Sequence, residues 1–532
     1  MKSNKNYFKS IDKKLTLILL VAFFLRFFYS WKVPSIHVDE GYAFYSAKCL
    51  LNYGQDIWGK GLSVYSSAWG GGMSMGYIYF SIPFLVLFGQ SLFVFRIPMI
   101  LMGVLAVYYM YKIGCFKDKK MGYGMALLYA TVPWSVMQQR WALDCNFFIV
   151  LFIPGLYYML KYLFEDNKKS LYISLIIWGF SLYGYALAYL YIPITLLIIL
   201  IVLILKKKLN VKDWIFPSFL MFLIALPLIA FVFNNFFGLN MTNFWFFDFP
   251  YLPNFRSSEL GFSPSNIEWV SKIVFLGTDQ YVINSYRETG LLYYWALPFL
   301  YLGVYRMYFK EKNELNFIMK LLFAIYILIP LFGFIDVNAY KMMLYIIPAI
   351  YCIYLGFDCF IQKISKKLIK MLLPALYGLG VVLFFVSYIF NHDITTSSFQ
   401  YNFMAELTPY GLSDVINYTE ENYPNDNKFI QYRRTFLTPV LFNELNVNPL
   451  EGDFEREDYY HRSNGKLYHS DFGRVKKYTI FRFVEDGKLT RDGKIKKEVG
   501  ILNDSLIIGM RGAPEFIDKE MIYCSYRYCL YK

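Results

Sequence analysis

The chain has 532 residues, of which 57% are hydrophobic and only 17% are charged. Soluble domains carry about 25% charged residues, so this composition excludes a disordered chain, a coiled coil and a disulfide-rich miniprotein, and it argues against a soluble enzyme. Basic residues exceed acidic ones by 53 to 39, and this net charge of +14 fits a nucleic-acid partner, a membrane surface or charges that set membrane topology. The positions of the charges along the chain decide among these.

Apolar stretches of about twenty residues recur along the chain, each long enough to cross ~30 Å of hydrocarbon as a helix. We predict eleven transmembrane helices, the first of which is not a cleaved signal peptide, because it contains Arg26 and no small-residue cleavage site follows it. The predicted spans are 15–31, 92–114, 121–138, 146–163, 171–187, 190–206, 214–233, 290–309, 315–335, 342–360 and 368–390.

The connections between these spans alternate between two kinds. The lysine-rich kind comprises the N-terminus and the segments 117–120, 168–169, 206–208, 310–312 and 363–367. The lysine-poor kind comprises 32–91, 139–145, 234–289 and 336–341. Because Lys and Arg accumulate in cytoplasmic loops, the first kind is predicted to be cytoplasmic and the second extracytoplasmic. The basic excess then reflects topology, and no nucleic-acid-binding motif accompanies it, so no nucleic acid is expected as a partner.

The predicted fold class is an all-α polytopic membrane protein with a small C-terminal α+β domain outside the membrane. A cytoplasmic N-terminus (1–14) precedes a transmembrane domain (15–390), whose main outer loops are 32–91 and 234–289. Residues 391–532 are polar and charged, with short alternating runs typical of strands and one helical stretch near 412–423.

Two features of this organisation have open alternatives. Residues 75–91 are apolar, but the stretch is short and contains Pro83, so we predict an interfacial helix on the outer surface. A thirteen-span arrangement with different pairing is the alternative. Cys524 and Cys529 are candidates for a disulfide, and two unpaired cysteines are an equal alternative. No set of Cys and His residues has the spacing of metal ligands.

Two adjacent acidic residues, Asp39 and Glu40, directly follow the first predicted span. Acids at the mouth of a membrane helix are costly unless they are solvated, paired or used. The simpler alternative is an N-cap of the next helix, which is compatible with a functional role. Asp144 follows Arg140 at the same predicted face, and its alternatives are again a helix cap or an ion pair with Arg140. Carboxylates beside a cation suit a reaction in which a hydroxyl or amine loses a proton and a phosphate leaves.

Basic residues are few at the predicted outer face. They include Arg96 at the start of a span, Arg287 before another and Lys341 in the segment 336–341. For any one of them, extension of the charged end toward lipid headgroups is the simpler explanation. As a group that opposes the positive-inside trend, they indicate an anionic partner, and a lipid-linked phosphate is the natural candidate.

These motifs, in this order, resemble the GT-C superfamily of glycosyltransferases, with the protein O-mannosyltransferases and the lipid A aminoarabinose transferases as the most similar groups. The likeness covers roughly residues 10–390. It is carried by His37–Glu40 with Tyr42, by the apolar stretch with Pro83, by Arg96–Pro98, by Arg140–Asp144, by Gly179–Pro193 and by Lys341–Pro348.

The resemblance implies a bacterial enzyme of the cytoplasmic membrane that transfers a hexosyl or pentosyl group from a polyprenyl-phosphate carrier. The transfer would occur at the outer face, by single-step inversion, onto a glycan, lipid or protein acceptor. The resemblance makes Asp39 the general base, with Glu40 and Asp144 in support. It implies that Arg140 and Lys341 bind the donor phosphate.

Further residues enter the predicted site in lesser roles. Lys341 stands where many relatives carry Arg, which puts bidentate phosphate binding in doubt there. Relatives differ in metal use, so a divalent cation held by Asp39, Glu40 and Asp144 stays open, and no other cofactor is expected. The additional candidates are Arg96 and Arg287 for the phosphate, and His37, Tyr42 and Tyr345 as supporting residues.

Two other functions compete with transfer. A flippase or transporter of lipid-linked saccharides would carry ionisable groups at mid-bilayer and show repeat symmetry. A glycan polymerase or ligase would use large outer loops without a pair of acids after the first span. Here the acids cluster at one face and no internal repeat is found, so the sequence favours a transferase.

Overall fold

The structure is a computed structural model in which most of the described chain is helical. It describes residues 12–56, 58–66, 72–250, 252, 260–281, 283–365, 367–397, 411–426, 428–431, 438–448, 450–451, 454–461, 466–483, 489–490, 506–511, 520–525 and 528–532.

The helices of the first 397 residues form a bundle. In chain order they are α1 (Lys13–Phe27), α2 (Val38–Tyr53), α3 (Gly76–Phe88), α4 (Leu92–Gly114), α5 (Lys119–Thr131), α6 (Pro133–Gln138), α7 (Asp144–Glu165), α8 (Lys168–Ser181), α9 (Ala188–Leu205), α10 (Val211–Phe237), α11 (Ser265–Ser271), α12 (Leu297–Phe309), α13 (Glu314–Gly333), α14 (Ile346–Lys363) and α15 (Lys367–Ser397). A π-helical turn (Lys272–Leu276) extends α11, and short 3-10 turns (Tyr294–Ala296 and Met343–Tyr345) precede α12 and α14.

Among the residues that the structure describes, seven helical stretches are long and apolar enough to cross a membrane, so the protein is a multi-pass membrane protein. They are α4, α7, α9, α10, α13, α14 with its preceding turn, and residues Leu372–Asn391 of α15. The most enclosed of the seven is α7, which has Asp144 at its N-terminus. The apolar helix α3 is shorter, with 13 residues.

The remaining predicted spans form shorter helices. α1 has 15 residues, α5 and α12 have 13 each and α8 has 14. The predicted helix 121–138 is in fact two helices, because Val132 is extended and Pro133 begins α6. The helical region is sterically disfavoured for a residue before proline, and proline suits the first position of a new helix.

Ion pairs join the lysine-rich connections to one another. Lys117 contacts Glu311 at 2.9 Å, and Lys168 contacts Asp213 at 2.8 Å. Further pairs are Lys119–Asp12, Lys120–Asp358 and Lys206–Glu314. These contacts place the lysine-rich connections at one end of the bundle. Each pair is at least partly exposed and therefore contributes only about 0–1 kcal/mol.

The two long lysine-poor segments, 32–91 and 234–289, contact each other. Two short hairpins, β1 (Tyr65–Ser66) with β2 (Met73–Ser74) and β3 (Asn243–Phe244) with β4 (Phe247–Asp248), lie in the two long segments. The side chain of Asp248 accepts a hydrogen bond from the Gly61 N–H at 2.8 Å, which ties the two segments to each other.

The described part of the chain from residue 411 onward contains eight strands and two helices. The helices are α16 (Leu412–Asn422) and α17 (Thr438–Glu444), and the strands are β5 (Lys428–Gln431), β6 (Phe454–His461), β7 (Lys466–Val475), β8 (Tyr478–Phe483), β9 (Leu489–Thr490), β10 (Leu506–Met510), β11 (Met521–Ser525) and β12 (Tyr528–Tyr531). The strand order is β11-β12-β10-β5-β8-β7-β6, with β9 beside β8. Strand β5 is parallel to β10 and β8, and the other neighbours are antiparallel.

Two local features stabilise this sheet. Leu412, Val415 and Ile416 are buried on one face of α16, which packs against β11 and β12. Cys524 and Cys529 face each other across the β11–β12 hairpin and form a disulfide, so of the two sequence alternatives the paired one is found.

Candidate active site

The acidic motif lies in the first turn of α2. The N-cap of this helix is His37, whose Nδ1 accepts the Asp39 N–H at 3.1 Å. Asp39 is therefore not the cap, contrary to the simpler sequence alternative. Burial lowers the pKa of His37, and its Nδ1 is an acceptor here, so the ring is neutral and its proximity to Asp39 is not an ion pair. The Asp39 side chain stays 39% exposed.

Glu40 points away from solvent and meets Arg96 of α4. Arg96 Nε donates to Glu40 Oε1 at 2.8 Å and Arg96 Nη2 donates to Oε2 at 2.5 Å, a bidentate pair. The Ala142 N–H also donates to Oε1 at 2.8 Å. The side chains of Glu40 and Arg96 are 0% and 1% exposed, so each charge is balanced by the other inside the protein.

Arg96 and Arg140 also hold the chain between α1 and α2. Arg96 Nη1 donates to the carbonyls of Ser30 (2.7 Å) and Pro34 (2.9 Å). Arg140 is fully buried, its guanidinium lies over the rings of Phe385 and Tyr388, and it donates to the carbonyls of Leu25, Arg26, Phe28 and Val33. The predicted phosphate-binding residues Arg96 and Arg140 thus direct these donors to protein groups.

Asp144 lies at the start of α7, where the helix dipole favours a negative charge. Its Oδ1 accepts the Cys145 N–H at 2.7 Å, and its Oδ2 accepts the Ser74 N–H at 3.4 Å. Asp144 thus connects α7 to the hairpin of the first lysine-poor segment. The nearby Ala142 contact with Glu40 brings the Asp39–Glu40 motif and the Asp144 segment side by side.

Lys341 is almost buried, with 8% of its surface exposed. Its Nζ donates to the carbonyl of Ile335 at 2.6 Å, and its own carbonyl accepts the hydroxyl of Tyr191 at 2.6 Å. An ammonium group has three N–H donors, and the bond to the Ile335 carbonyl uses one of them.

The fold adds two residues that sequence reasoning missed, Tyr340 and Asp279. Burial raises the pKa of Tyr340, and the neighbouring Cys145, Asp279, Tyr388 and Asp39 raise it further, so this side chain lies among the acidic residues. Within the described part of the chain, its buried hydroxyl has no hydrogen-bond partner. A buried hydroxyl without a partner costs about 1–3 kcal/mol, which indicates a place for a ligand atom.

Asp279 ties the second long lysine-poor segment to the segment that bears Tyr340 and Lys341. Its Oδ2 accepts the side-chain amide of Asn284 at 2.5 Å and the Ala339 N–H at 3.1 Å. Burial raises the pKa of Asp279 to about 7 despite these hydrogen bonds. No local motif marks Asp279 or Tyr340, because residues 60 positions apart meet only in the folded chain.

The other predicted site residues lie at the margins of this cluster or outside it. The Tyr42 hydroxyl lies 3.3 Å from the Ser66 hydroxyl and accepts from the indole of Trp58. Arg287 is exposed, and its carbonyl accepts the Tyr294 hydroxyl at 2.9 Å. Tyr345 is fully buried, packs against Phe323 and lines an apolar cavity instead of the acidic cluster.

The apolar cavity has a volume of about 420 Å³. It lies between α11 with its π-helical turn, α12 and α13. Its lining residues are Ile267, Val270, Ser271, Val274, Phe275, Leu300, Tyr301, Val304, Phe323, Ile327, Leu331 and Tyr345. The lining is nearly all hydrocarbon and aromatic, so the cavity suits an apolar chain.

The sequence leaves open a divalent cation held by Asp39, Glu40 and Asp144. Among the residues that the structure describes, no group of three or more His, Cys, Asp or Glu side chains is arranged to hold a metal ion. The physical reason at this site is that Glu40 directs both carboxylate oxygens to Arg96.

Comparison with known proteins places this geometry in context. Residues 75–232 match the family profile described as Dolichyl-phosphate-mannose-protein mannosyltransferase. ArnT from Cupriavidus metallidurans in the apo state aligns with 97% of this chain and 97% of its own, at 12% identity and a TM-score of 0.54. The protein has the GT-C fold. It resembles the ArnT and protein mannosyltransferase group.

Two further structures align with the chain. ArnT from Cupriavidus metallidurans bound to undecaprenyl phosphate covers 98% of both chains at 12% identity, with a TM-score of 0.55. The apo oligosaccharyltransferase of Archaeoglobus fulgidus aligns with 82% of this chain at 11% identity, with a TM-score of 0.48, and this chain spans 64% of its length. No curated protein sequence matches the chain.

Proposed function

We propose that the protein is a membrane glycosyltransferase that moves a sugar from a polyprenyl-phosphate carrier to an acceptor at the outer membrane face. The observation that carries this proposal is the difference in exposure between two adjacent acidic residues of α2. Asp39 is exposed to a substrate, whereas its neighbour Glu40 is enclosed with Arg96. A general base must be accessible and held in a fixed position. Asp39 is accessible, and the buried Glu40–Arg96 ion pair fixes the start of its helix.

In the proposed reaction, Asp39 accepts the proton of an acceptor hydroxyl or amine. The acceptor atom then forms a bond to the anomeric carbon. The bond from this carbon to the donor phosphate oxygen breaks with its electron pair, and the phosphate leaves on the opposite face of the sugar. This single displacement inverts the anomeric centre and needs no covalent glycosyl-enzyme.

The contacts of the cations refine their proposed roles. Lys341 is the proposed phosphate-binding residue, because it is a nearly buried cation and directly follows Tyr340, which lies near Asp39. Arg96 and Arg140 are proposed as positioning residues, because the donors described above are directed to Glu40 and to backbone carbonyls. Exposed Arg287 is a second candidate for the phosphate, and Asp144 and Tyr340 are proposed to orient the substrates.

The apolar cavity is the proposed place for part of the polyprenyl chain. ArnT from Cupriavidus metallidurans has been solved with undecaprenyl phosphate bound, which supports a lipid phosphate as the carrier. Tyr345 lines the cavity and lies four residues beyond Lys341. A chain in the cavity would therefore bring its phosphate end toward Lys341.

The function is tested by incubating purified protein in nanodiscs with a panel of polyprenyl-phosphate sugars and a mixture of envelope glycans, lipids and peptides. We expect one donor to be consumed, with release of polyprenyl phosphate. If donors cross a liposome membrane without cleavage, the protein is a flippase and the proposal is wrong. If no donor is cleaved under any acceptor condition, transfer is also contradicted.

We further propose eleven spans, with the N-terminus in the cytoplasm, α3 on the outer membrane surface, and the active site and residues 391–532 outside the cytoplasmic membrane. The gathering of the lysine-rich connections at one end of the bundle supports this orientation. The Cys524–Cys529 disulfide also supports it, since disulfides persist in oxidising compartments.

We predict that a cysteine introduced at exposed Glu421 of α16 reacts with a membrane-impermeant maleimide in intact cells. A Lys169→Cys variant at the exposed start of α8 serves as the matched control and should react only after the membrane is opened. Equal labelling of both positions in intact cells, or labelling of position 169 but not of position 421, would contradict the proposed orientation.

A further inference from the structure

The segment 438–448, which contains α17, packs against α2. It meets Gly41, Tyr45 and Lys48, which are spaced by four and three residues and therefore form one stripe along the helix. The contacts thus run from the acidic first turn of α2 toward its C-terminal half. This contact joins the C-terminal part of the chain to the first lysine-poor segment.

The contact nearest to the acidic motif is made by Asn443. Its side-chain amide donates to the carbonyl of Gly41 at 2.8 Å. Gly41 directly follows Glu40 and lies two residues after Asp39. One turn further along α2, the Tyr45 hydroxyl donates to the carbonyl of Val447 at 2.6 Å.

Apolar packing and a hydrogen bond to the C-terminal sheet stabilise this contact. The rings of Tyr45 and Phe442 are 5.0 Å apart, and both side chains are buried. Lys476, in the turn between β7 and β8, donates to the carbonyl of Leu445 at 2.6 Å. The segment is therefore held by the C-terminal sheet on one side while it holds α2 on the other.

We propose that Asn443 is a positioning residue for Asp39, and that the C-terminal segment 438–448 sets the orientation of the acidic turn of α2. The helix is held at Glu40 by Arg96 and at Gly41 by Asn443. Asp39 directly precedes these two attachments, and its side chain stays 39% exposed. The inference rests on the proposed function, because Asp39 is the proposed base.

The test compares Asn443→Ala with Asn446→Gly in full-length protein in nanodiscs. Asn446 accepts from Lys48 at 2.9 Å, so its variant removes a bond between the same two elements, but in the C-terminal half of α2, away from Asp39. Glycine suits the positive φ of this residue. We expect Asn443→Ala to lower kcat about tenfold with little change in the KM for donor, because small displacements of a reacting group are costly. Asn443→Gln, which keeps the amide donor, should recover part of the loss.

Hydrogen exchange gives a readout that is independent of activity. Asn443→Ala should increase the exchange rate of the amides of residues 41–44 about fivefold, roughly the effect of losing a bond worth 1 kcal/mol. Asn446→Gly should leave these amides unchanged. Unchanged exchange and kcat in Asn443→Ala would overturn the inference. If exchange rises but the wild-type protein cleaves no donor, the positioning contact stands and the proposed function falls.

Discussion

Replacement of Asp39 by Asn is expected to reduce sugar transfer by at least about 10³-fold, within the range that a general base contributes. The amide keeps the shape of the carboxylate but cannot accept a proton from the acceptor at neutral pH. The fold should persist, because the side chain is 39% exposed and the His37 contact uses the backbone N–H of Asp39.

The measurement is donor cleavage by purified, membrane-reconstituted Asp39→Asn protein, with its folding checked by size-exclusion chromatography and thermal unfolding. Glu288→Gln is the matched control, since Glu288 is an exposed acid in the other long lysine-poor segment. The control should transfer normally. Near-normal transfer by Asp39→Asn would remove Asp39 from the role of base.

Replacement of Arg96 by Met is expected to have the largest effect on stability, a loss of about 3–5 kcal/mol in the free energy of unfolding. The change leaves the enclosed Glu40 carboxylate without its bidentate partner. It also leaves the carbonyls of Ser30 and Pro34 without a donor. The chain between α1 and α2, and with it the acidic motif, would lose its attachment to α4.

Thermal unfolding in one detergent condition measures this effect, and a double-mutant cycle isolates the pair. The double variant Glu40→Gln with Arg96→Met should be more stable than the sum of the single losses predicts, because no unpaired charge remains. Lys120→Met, which breaks an exposed pair with Asp358, is the control and should cost less than about 1 kcal/mol. Strict additivity of the two single changes would show that Glu40 and Arg96 do not stabilise each other.

Hydropathy predicted the seven long apolar helices, because hydrocarbon demands long apolar segments whatever their neighbours are, whereas four other predicted spans form helices of 13 to 15 residues. It was less informative about where each helix ends. The break at Pro133 has a local signal, since proline disfavours a helical residue before it, yet the apolar run continues through it. The short α12 begins at Leu297, although the apolar run starts near residue 290. The irregular turns of this run at Gly290 and Tyr293, both with positive φ, leave no mark on hydropathy.

The partners within the site were harder to predict than the residues themselves. Asp39 and Glu40 are neighbours of the same charge, and only the orientation of α2 exposes one and encloses the other. The sequence identifies Arg96 as a basic residue at the outer face. Its pairing with Glu40, 56 residues away, depends on how α2 packs against α4. Tyr340 has no local signal, because its neighbours Asp39, Cys145, Asp279 and Tyr388 come from four distant segments.

The ion pairs at the lysine-rich end of the bundle have a consequence for the response to salt. Lys120–Asp358 and Lys168–Asp213 have exposed lysines, so dissolved ions weaken them over a Debye length of about 8 Å at physiological ionic strength. Glu40 and Arg96 are enclosed, and counterions do not reach them. Ionic strength therefore acts unevenly on the molecule. It loosens the links among the lysine-rich connections while it leaves the attachment of the acidic helix unchanged.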